Sequence, residues 1–381
     1  MSRILFVSTM AAFPWGGSEE LWSRAATLLS SNHKVACSVQ NWPELHPRLQ
    51  LLQSCGVEII PRKPTQSKAT RVFNWFLPDC LQWKAASPIN QALASFKPDL
   101  VVVNQGGNTD GLESMLACQK HCIPFFNVIQ AVPECVFWPD DTEIRQQRPL
   151  YQNSRRLYFI SERNREFLET QFVARFSNAV VIRNPVNVPY DTSLPWPNPE
   201  EPLRLACVSR IEFYAKGQDL LVDIFSQPKW RERAVTLDFY GTGPNQKILE
   251  ERIRMLNLTN LVVRGFVEDV ASIWAGHHAL VLASRQEGLP LVLVEAFLCS
   301  RPAVVTRVGG NAELVAEGCN GFVAPAPTAA LLDQALERMW QQRADLSAMG
   351  VNARRTVEQK MPPNAVEEFV KDITRLLPAQ A

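Results

Sequence analysis

Short, continuously apolar runs alternate with longer stretches of helical character along this chain, and that alternation limits the possible folds more than any other feature. Ile4–Val7, Val35–Val39, Leu100–Val103, Phe125–Ile129, Leu157–Ile160 and Val180–Ile182 read as strands in the first half. Leu205–Ser209, Thr236–Tyr240, Leu261–Val263, Ala279–Ala283 and Ala303–Thr306 do so in the second. Runs that are apolar at every position, rather than at every second one, belong to strands buried on both faces. Such strands, separated by helices, form right-handed βαβ units and therefore parallel sheets. The expected fold class is α/β, with Rossmann-like sheets whose ligands bind beyond the carboxyl ends of the strands.

The chain has 381 residues, too many for one ordinary core and suited to two domains. Pro189, Pro195, Pro197, Pro199 and Pro202 crowd one stretch. Proline removes backbone donors and blocks regular structure, so this stretch reads as a linker. The expected organisation is one Rossmann-like domain over 1–186, a linker over 187–202 and a second Rossmann-like domain over 203–360. The segment 361–381 ends in an amphipathic helix. Its Val366, Phe369, Val370, Ile373 and Leu376 share a face that suits packing back on the N-terminal domain.

A formal net charge of +1 argues against a nucleic-acid binder, which usually carries a clear basic excess. No apolar run approaches the ~18 residues of a membrane-spanning helix. The start of the chain, Met1–Met10, is too short for a signal peptide. Cys37, Cys55, Cys80, Cys118, Cys122, Cys135, Cys207, Cys299 and Cys319 are odd in number and scattered, as reduced cytoplasmic thiols would be.

The most informative stretch is Ser284-Arg285-Gln286-Glu287-Gly288-Leu289-Pro290-Leu291-Val292-Leu293-Val294-Glu295-Ala296, between a buried strand and a helix. Pro290 suits the first helical turn. The free amides and dipole of that turn attract negative charge, and Gly288 lets the backbone approach a ligand. Glu287 can accept hydrogen bonds from sugar hydroxyls, and Glu295 can hold a vicinal pair such as a ribose offers. By themselves these features also fit a βα loop with two solvated glutamates. Upstream, Arg210 ends a strand, and Lys216-Gly217-Gln218 opens a helix. Two cations there can offset the charge on a departing diphosphate.

Glu287 and Glu295, with seven residues between them, resemble the E-x7-E motif of the retaining glycosyltransferases of family 4. Arg210 with Lys216-Gly217 resembles that family's pyrophosphate-binding pair. Phe239-Tyr240-Gly241-Thr242-Gly243-Pro244, Gly265-Phe266-Val267, Gly309-Gly310-Asn311-Ala312-Glu313 and Asn184-Pro185-Val186 follow in family order, the last with Asn-Pro in place of the usual Asn-Gly. Trp15-Gly16-Gly17-Ser18-Glu19 resembles the glycine loop near the donor diphosphate and sugar, and lacks the GxGxxG spacing of dinucleotide-binding proteins. The resemblance spans the chain and is strongest from Arg210 to Gly321.

It implies a GT-B fold, two Rossmann-like domains across a cleft, and a nucleotide diphosphate sugar as substrate, with no cofactor. Donor contacts are expected from Gly16, Gly17, Arg210, Lys216, Gly265, Phe266, Glu287, Gly288, Leu289 and Glu295, with Glu287, Arg210 and Lys216 nearest the chemistry. The acceptor, a saccharide or lipid-linked hydroxyl, would enter from the N-terminal side. No Asp-x-Asp motif occurs, so transfer is expected to need no metal.

Gln130 stands where the family usually has a histidine. A carboxamide there can bond a sugar hydroxyl on the acceptor side but cannot shuttle a proton near neutral pH. That departure keeps a second reading open, a non-catalytic nucleotide-sugar-binding GT-B protein or partner subunit. A nicotinamide-dependent oxidoreductase is disfavoured by the absent GxGxxG. Cys118, His121 and Cys122 lack a suitably spaced fourth ligand, so no metal site is expected. Basic residues beside aromatics over 62–83 fit either a peripheral membrane contact or a helix with a buried aromatic face.

Overall fold

The computed structural model describes residues 1–62, 88–134, 137–198 and 201–377. The stretch 62–83 lies outside these residues apart from Arg62, which ends a strand of the first sheet and donates to the Ser38 carbonyl at 3.2 Å.

Two parallel sheets organise the chain. The first contains β1 (Arg3–Ser8), β2 (Lys34–Gln40), β3 (Glu58–Arg62), β4 (Leu100–Gln105), β5 (Phe125–Ile129), β6 (Arg156–Phe159) and β7 (Ala179–Val181), in the order β3-β2-β1-β4-β5-β6-β7. The second contains β8 (Leu203–Val208), β9 (Val235–Tyr240), β10 (Leu261–Gly265), β11 (Ala279–Leu282), β12 (Ala303–Thr306) and β13 (Gly321–Ala324), in the order β10-β9-β8-β11-β12-β13. The central strands are buried on both faces: Ile4 to Val7 and Leu100 to Val103 are 0% exposed.

Two strands escape the hydrophobic pattern, and both lie at sheet edges. β3 carries Glu58, Pro61 and Arg62 and is only partly buried, as an edge permits. β13 is buried but is only four residues long and begins with glycine.

Strand order fixes the location of the site. Each sheet reverses direction of growth once, between β1 and β4 and between β8 and β11. Loops leaving neighbouring strands at such a reversal part to opposite faces and leave a crevice. The Gly16–Gly17 loop follows β1, Arg210 and Lys216 follow β8, and Glu287 follows β11.

The proline-rich segment is strapped to the C-terminal domain. Arg301, 0% exposed, donates to the carbonyls of Trp274, His277, Cys299 and Pro195, with its guanidinium over the Trp196 ring. Arg354 does the same for the carbonyls of Tyr190, Thr192 and Leu298. The last helix, Ala365–Leu376, crosses to the N-terminal domain. Phe369 meets Tyr158 edge-on with ring centroids 5.0 Å apart, and the Tyr158 hydroxyl donates to Asp372 at 2.5 Å. Among the described residues no helix is long and apolar enough to cross a membrane.

Candidate active site

The loop after β8 is built to carry Lys216 across to Glu287. Glu212 caps the short helix Phe213–Lys216 by accepting from the amides of Tyr214 and Ala215 at 2.8 and 3.1 Å. Gly217 ends it in the left-handed region at φ 66°, and a Cβ there would meet the Ala283 carbonyl at 2.1 Å. Only glycine tolerates both the dihedral and the approach. The turn therefore presses on the end of β11. Arg285 clamps it through the Phe213 carbonyl and both oxygens of Asp219.

Lys216 Nζ lies 2.8 Å from Glu287 Oε1, which also accepts from Ser284 Oγ at 2.7 Å. Glu287 is 8% exposed, so its carboxylate is held in one position at the floor of the crevice.

Arg210 is held differently. Its guanidinium carbon lies 4.0 Å from the centre of the Phe13 ring, and Nη2 is 3.5 Å from Glu212. Its Nε and Nη1 are buried and find no hydrogen-bond partner among the described residues. Unmet buried donors on a cation are costly and suit an anion that would share them.

The Glu287–Pro290 loop is pinned between lobes. The Gly310 amide donates to the Gly288 carbonyl at 2.6 Å. A Cβ on Gly288 would lie 1.8 Å from the Gln130 carbonyl oxygen of the facing domain. Leu289 is buried, and Pro290, outside the first turn, is the N-cap of the helix Leu291–Leu298, with no side-chain cap on its amides. Gly17 lies over that helix start, where a Cβ would meet Leu291 Cδ1 at 2.9 Å. Glycine loop, uncapped amides and two cations thus converge on one crevice, a setting for a polyanion.

Glu295 sits one turn further in, buried where the lobes and linker meet. It accepts from the Asn187 amide at 3.1 Å, and burial raises its pKa. Gly265 joins the site through its neighbour: its carbonyl accepts from the Gly241 amide at 2.7 Å, and Gly241 is packed against the Ser209 carbonyl. Phe266 projects into solvent, 72% exposed.

Gln130 is anchored within its own domain. Its Nε2 donates to Asn104 Oδ1 at 2.9 Å, and its Oε1 accepts from Asn184 Nδ2 at 2.7 Å. Each end of the carboxamide has one partner within the N-terminal domain, and the Gln130 backbone carbonyl faces Gly288 of the other lobe. Asn104 Nδ2 in turn lies 3.3 Å from Glu19. Glu19 is buried, and desolvation pushes its pKa up to about 7 against hydrogen bonds from Ser8, Trp22 and Ser18 and the charge of Arg62. Asn164 is 0% exposed, with neither end of its carboxamide partnered among the described residues. Phe13, Glu19, Asn104 and Asn164 carry no spacing signal. Only the position of Glu19 directly after the glycine loop hinted at one of them. Cys118 is buried and Cys122 exposed, and no group of three metal-binding side chains occurs among the described residues.

Comparison with known proteins agrees with this architecture. Residues 202–342 match the family model described as Glycosyl transferases group 1. An uncharacterized glycosyltransferase of Methanocaldococcus jannaschii is 34% identical over 111 residues, covering 29% of this chain and 30% of that protein. The N-acetyl-alpha-D-glucosaminyl L-malate synthase of Bacillus anthracis is 30% identical over 122 residues, 32% of each. The chain thus spans about a third of the length of these curated relatives. The crystal structure of Anabaena HepE with UDP and glucose superposes with a TM-score of 0.74 at 18% identity, over 99% of this chain and 100% of that one. The fold is GT-B. The family-model match thus lies within 202–342, whereas the likeness of fold extends over both sheets.

Proposed function

We propose that this chain is a retaining, family 4 glycosyltransferase that moves a sugar from a nucleotide diphosphate sugar to a hydroxyl acceptor without a metal ion. The observation that carries the reading is Arg210, whose two unmet buried donors lie on the same loop as Lys216, itself bonded to Glu287. In this reading Arg210 and Lys216 take the diphosphate, and Lys216 exchanges Glu287 for a phosphate oxygen. Glu287, freed of that partner, and the amides from Gly288 to Leu291 orient the sugar. Glu295 holds the ribose, Gly265 and Phe266 border the base, and Gly16 and Gly17 close over the diphosphate. The acceptor, a saccharide or lipid-borne hydroxyl, approaches from the N-terminal domain at the cytoplasmic side. Its oxygen bonds the anomeric carbon on the face from which the phosphate leaves, and the leaving phosphate oxygen takes its proton. UDP sugars are the first donors to test, because the similar Anabaena protein was crystallised with UDP and glucose.

Calorimetry with UDP and GDP, followed by turnover with the matching sugars, tests the reading. Lys216→Ala is expected to lower turnover by about 10²–10³, the scale for one preorganised charge-stabilising group. Unchanged turnover in that variant would remove Lys216 from the chemistry. Tight donor binding with neither transfer nor hydrolysis in the unmodified chain would favour the non-catalytic alternative, whose support is Gln130 in place of the family's usual histidine.

A further inference from the structure

We infer that Phe13 is a positioning residue, lent by the N-terminal lobe to the diphosphate site of the C-terminal lobe, and that it acts by fixing the plane of the Arg210 guanidinium. The inference rests on the proposed role of Arg210. A guanidinium bonds a phosphate through its edge and leaves its two faces free. An aromatic ring can occupy a face without competing for the edge. That is the arrangement here: the Phe13 ring lies 4.0 Å from the guanidinium carbon, and Nε and Nη1 are buried without partners among the described residues. Glu212, 3.5 Å from Nη2, is the anion paired with Arg210 among the described residues and also caps the adjacent short helix, so it cannot saturate the cation.

The loop is shaped around this ring. A Cβ at residue 16 would lie 2.6 Å from Phe13 Cε2. A side chain at residue 16 would have to push the Phe13 ring aside, so the ring is seated against bare backbone. Phe13 follows β1 and Arg210 follows β8, so their contact exists only when the lobes are together. Seating the glycine loop and orienting the cation become one event. Lobe closure then favours the departure of the diphosphate more than its initial binding.

The test uses the full chain with UDP and UDP-glucose, measuring UDP affinity by calorimetry and kcat and KM for hydrolysis or transfer. Phe13→Leu keeps an apolar side chain but removes the ring, and Phe13→Tyr keeps the ring. Phe13→Leu is expected to lower kcat about tenfold with UDP affinity within about threefold, and Phe13→Tyr to stay near the unmodified rate. In an Arg210→Ala background, Phe13→Leu is expected to cost nothing further. Equal rates for Phe13→Leu and the unmodified chain, or a full additional loss in the Arg210→Ala background, would overturn the inference alone. Absence of UDP binding in the unmodified chain, or unchanged turnover in Arg210→Ala, would overturn the diphosphate reading beneath it.

Discussion

Glu19 shows how much a single buried side chain can hold in this molecule. Its carboxyl accepts from the Trp22 indole at 3.0 Å and lies 3.3 Å from both Ser18 Oγ and Asn104 Nδ2, directly behind the glycine loop. Burial outweighs these bonds and moves its pKa from 4.5 to about 7. A carboxyl whose pKa is higher folded than unfolded binds its proton more tightly in the native state. Its favourable contribution is complete below about 4.5 and is lost as pH rises to about 7. Glu19→Gln cannot ionise and escapes that loss. The difference in melting temperature, variant minus unmodified chain, should therefore become more positive between pH 5 and pH 8. A difference that stays constant across that range would mean that Glu19 ionises as freely in the fold as in the unfolded chain.

At the scale of elements, some helix ends here follow from local chemistry, and several C-terminal turns work against it by placing a residue other than glycine in the left-handed region. Ser161 caps the helix Glu162–Gln171 by accepting from the Asn164 amide at 3.2 Å. At the other end, the Ala174 amide reaches the Glu169 carbonyl and the Val173 amide the Thr170 carbonyl, the paired bonds of a Schellman turn. The left-handed residue such a turn requires is Val173, at φ 47° and 78% exposed. A β-branched residue is strained there and gains little burial in return. Val173→Gly is expected to raise stability by about 1 kcal/mol, seen as a higher denaturant midpoint at unchanged slope. A lower midpoint would show that the valine contributes packing that its exposure does not reveal.

For the whole molecule, the decisive feature is how the lobes meet. Glu313 of the C-terminal lobe joins Arg183 at 2.8 Å and accepts from the Arg163 amide at 2.9 Å. Glu134 of the N-terminal lobe accepts from the Gly309 amide at 3.0 Å. Between these ties the Gly288 backbone rests on the Gln130 carbonyl with no room for a side chain. Gly288→Ala should hold the lobes apart. Nucleotide affinity is expected to stay within a few-fold, because most of the proposed donor contacts lie on one lobe. Turnover is expected to fall about 10²-fold, the scale for a misplacement near 1 Å. Small-angle scattering with UDP bound would report a larger radius of gyration for the variant, and an unchanged radius with full turnover would refute this view of closure.

Taken by itself, the sequence determined the layers and the main landmarks. Continuous apolar runs such as Leu100–Val103 can only be satisfied between two layers of helix, and the proline cluster can belong to neither sheet. The glutamates at 287 and 295 were legible because their spacing is local. Tertiary structure alone decided what meets what. Lys216 and Glu287 are 71 residues apart and touch because β8 and β11 are neighbours in the second sheet. Phe13 reaches Arg210 because two crevices face one another, and Gln130 is engaged because β4 and β5 bring Asn104 beside it. Periodicity reports which residues are buried, since burial depends on the element's own faces. It carries no record of strand order, and strand order determines which distant side chains share a crevice.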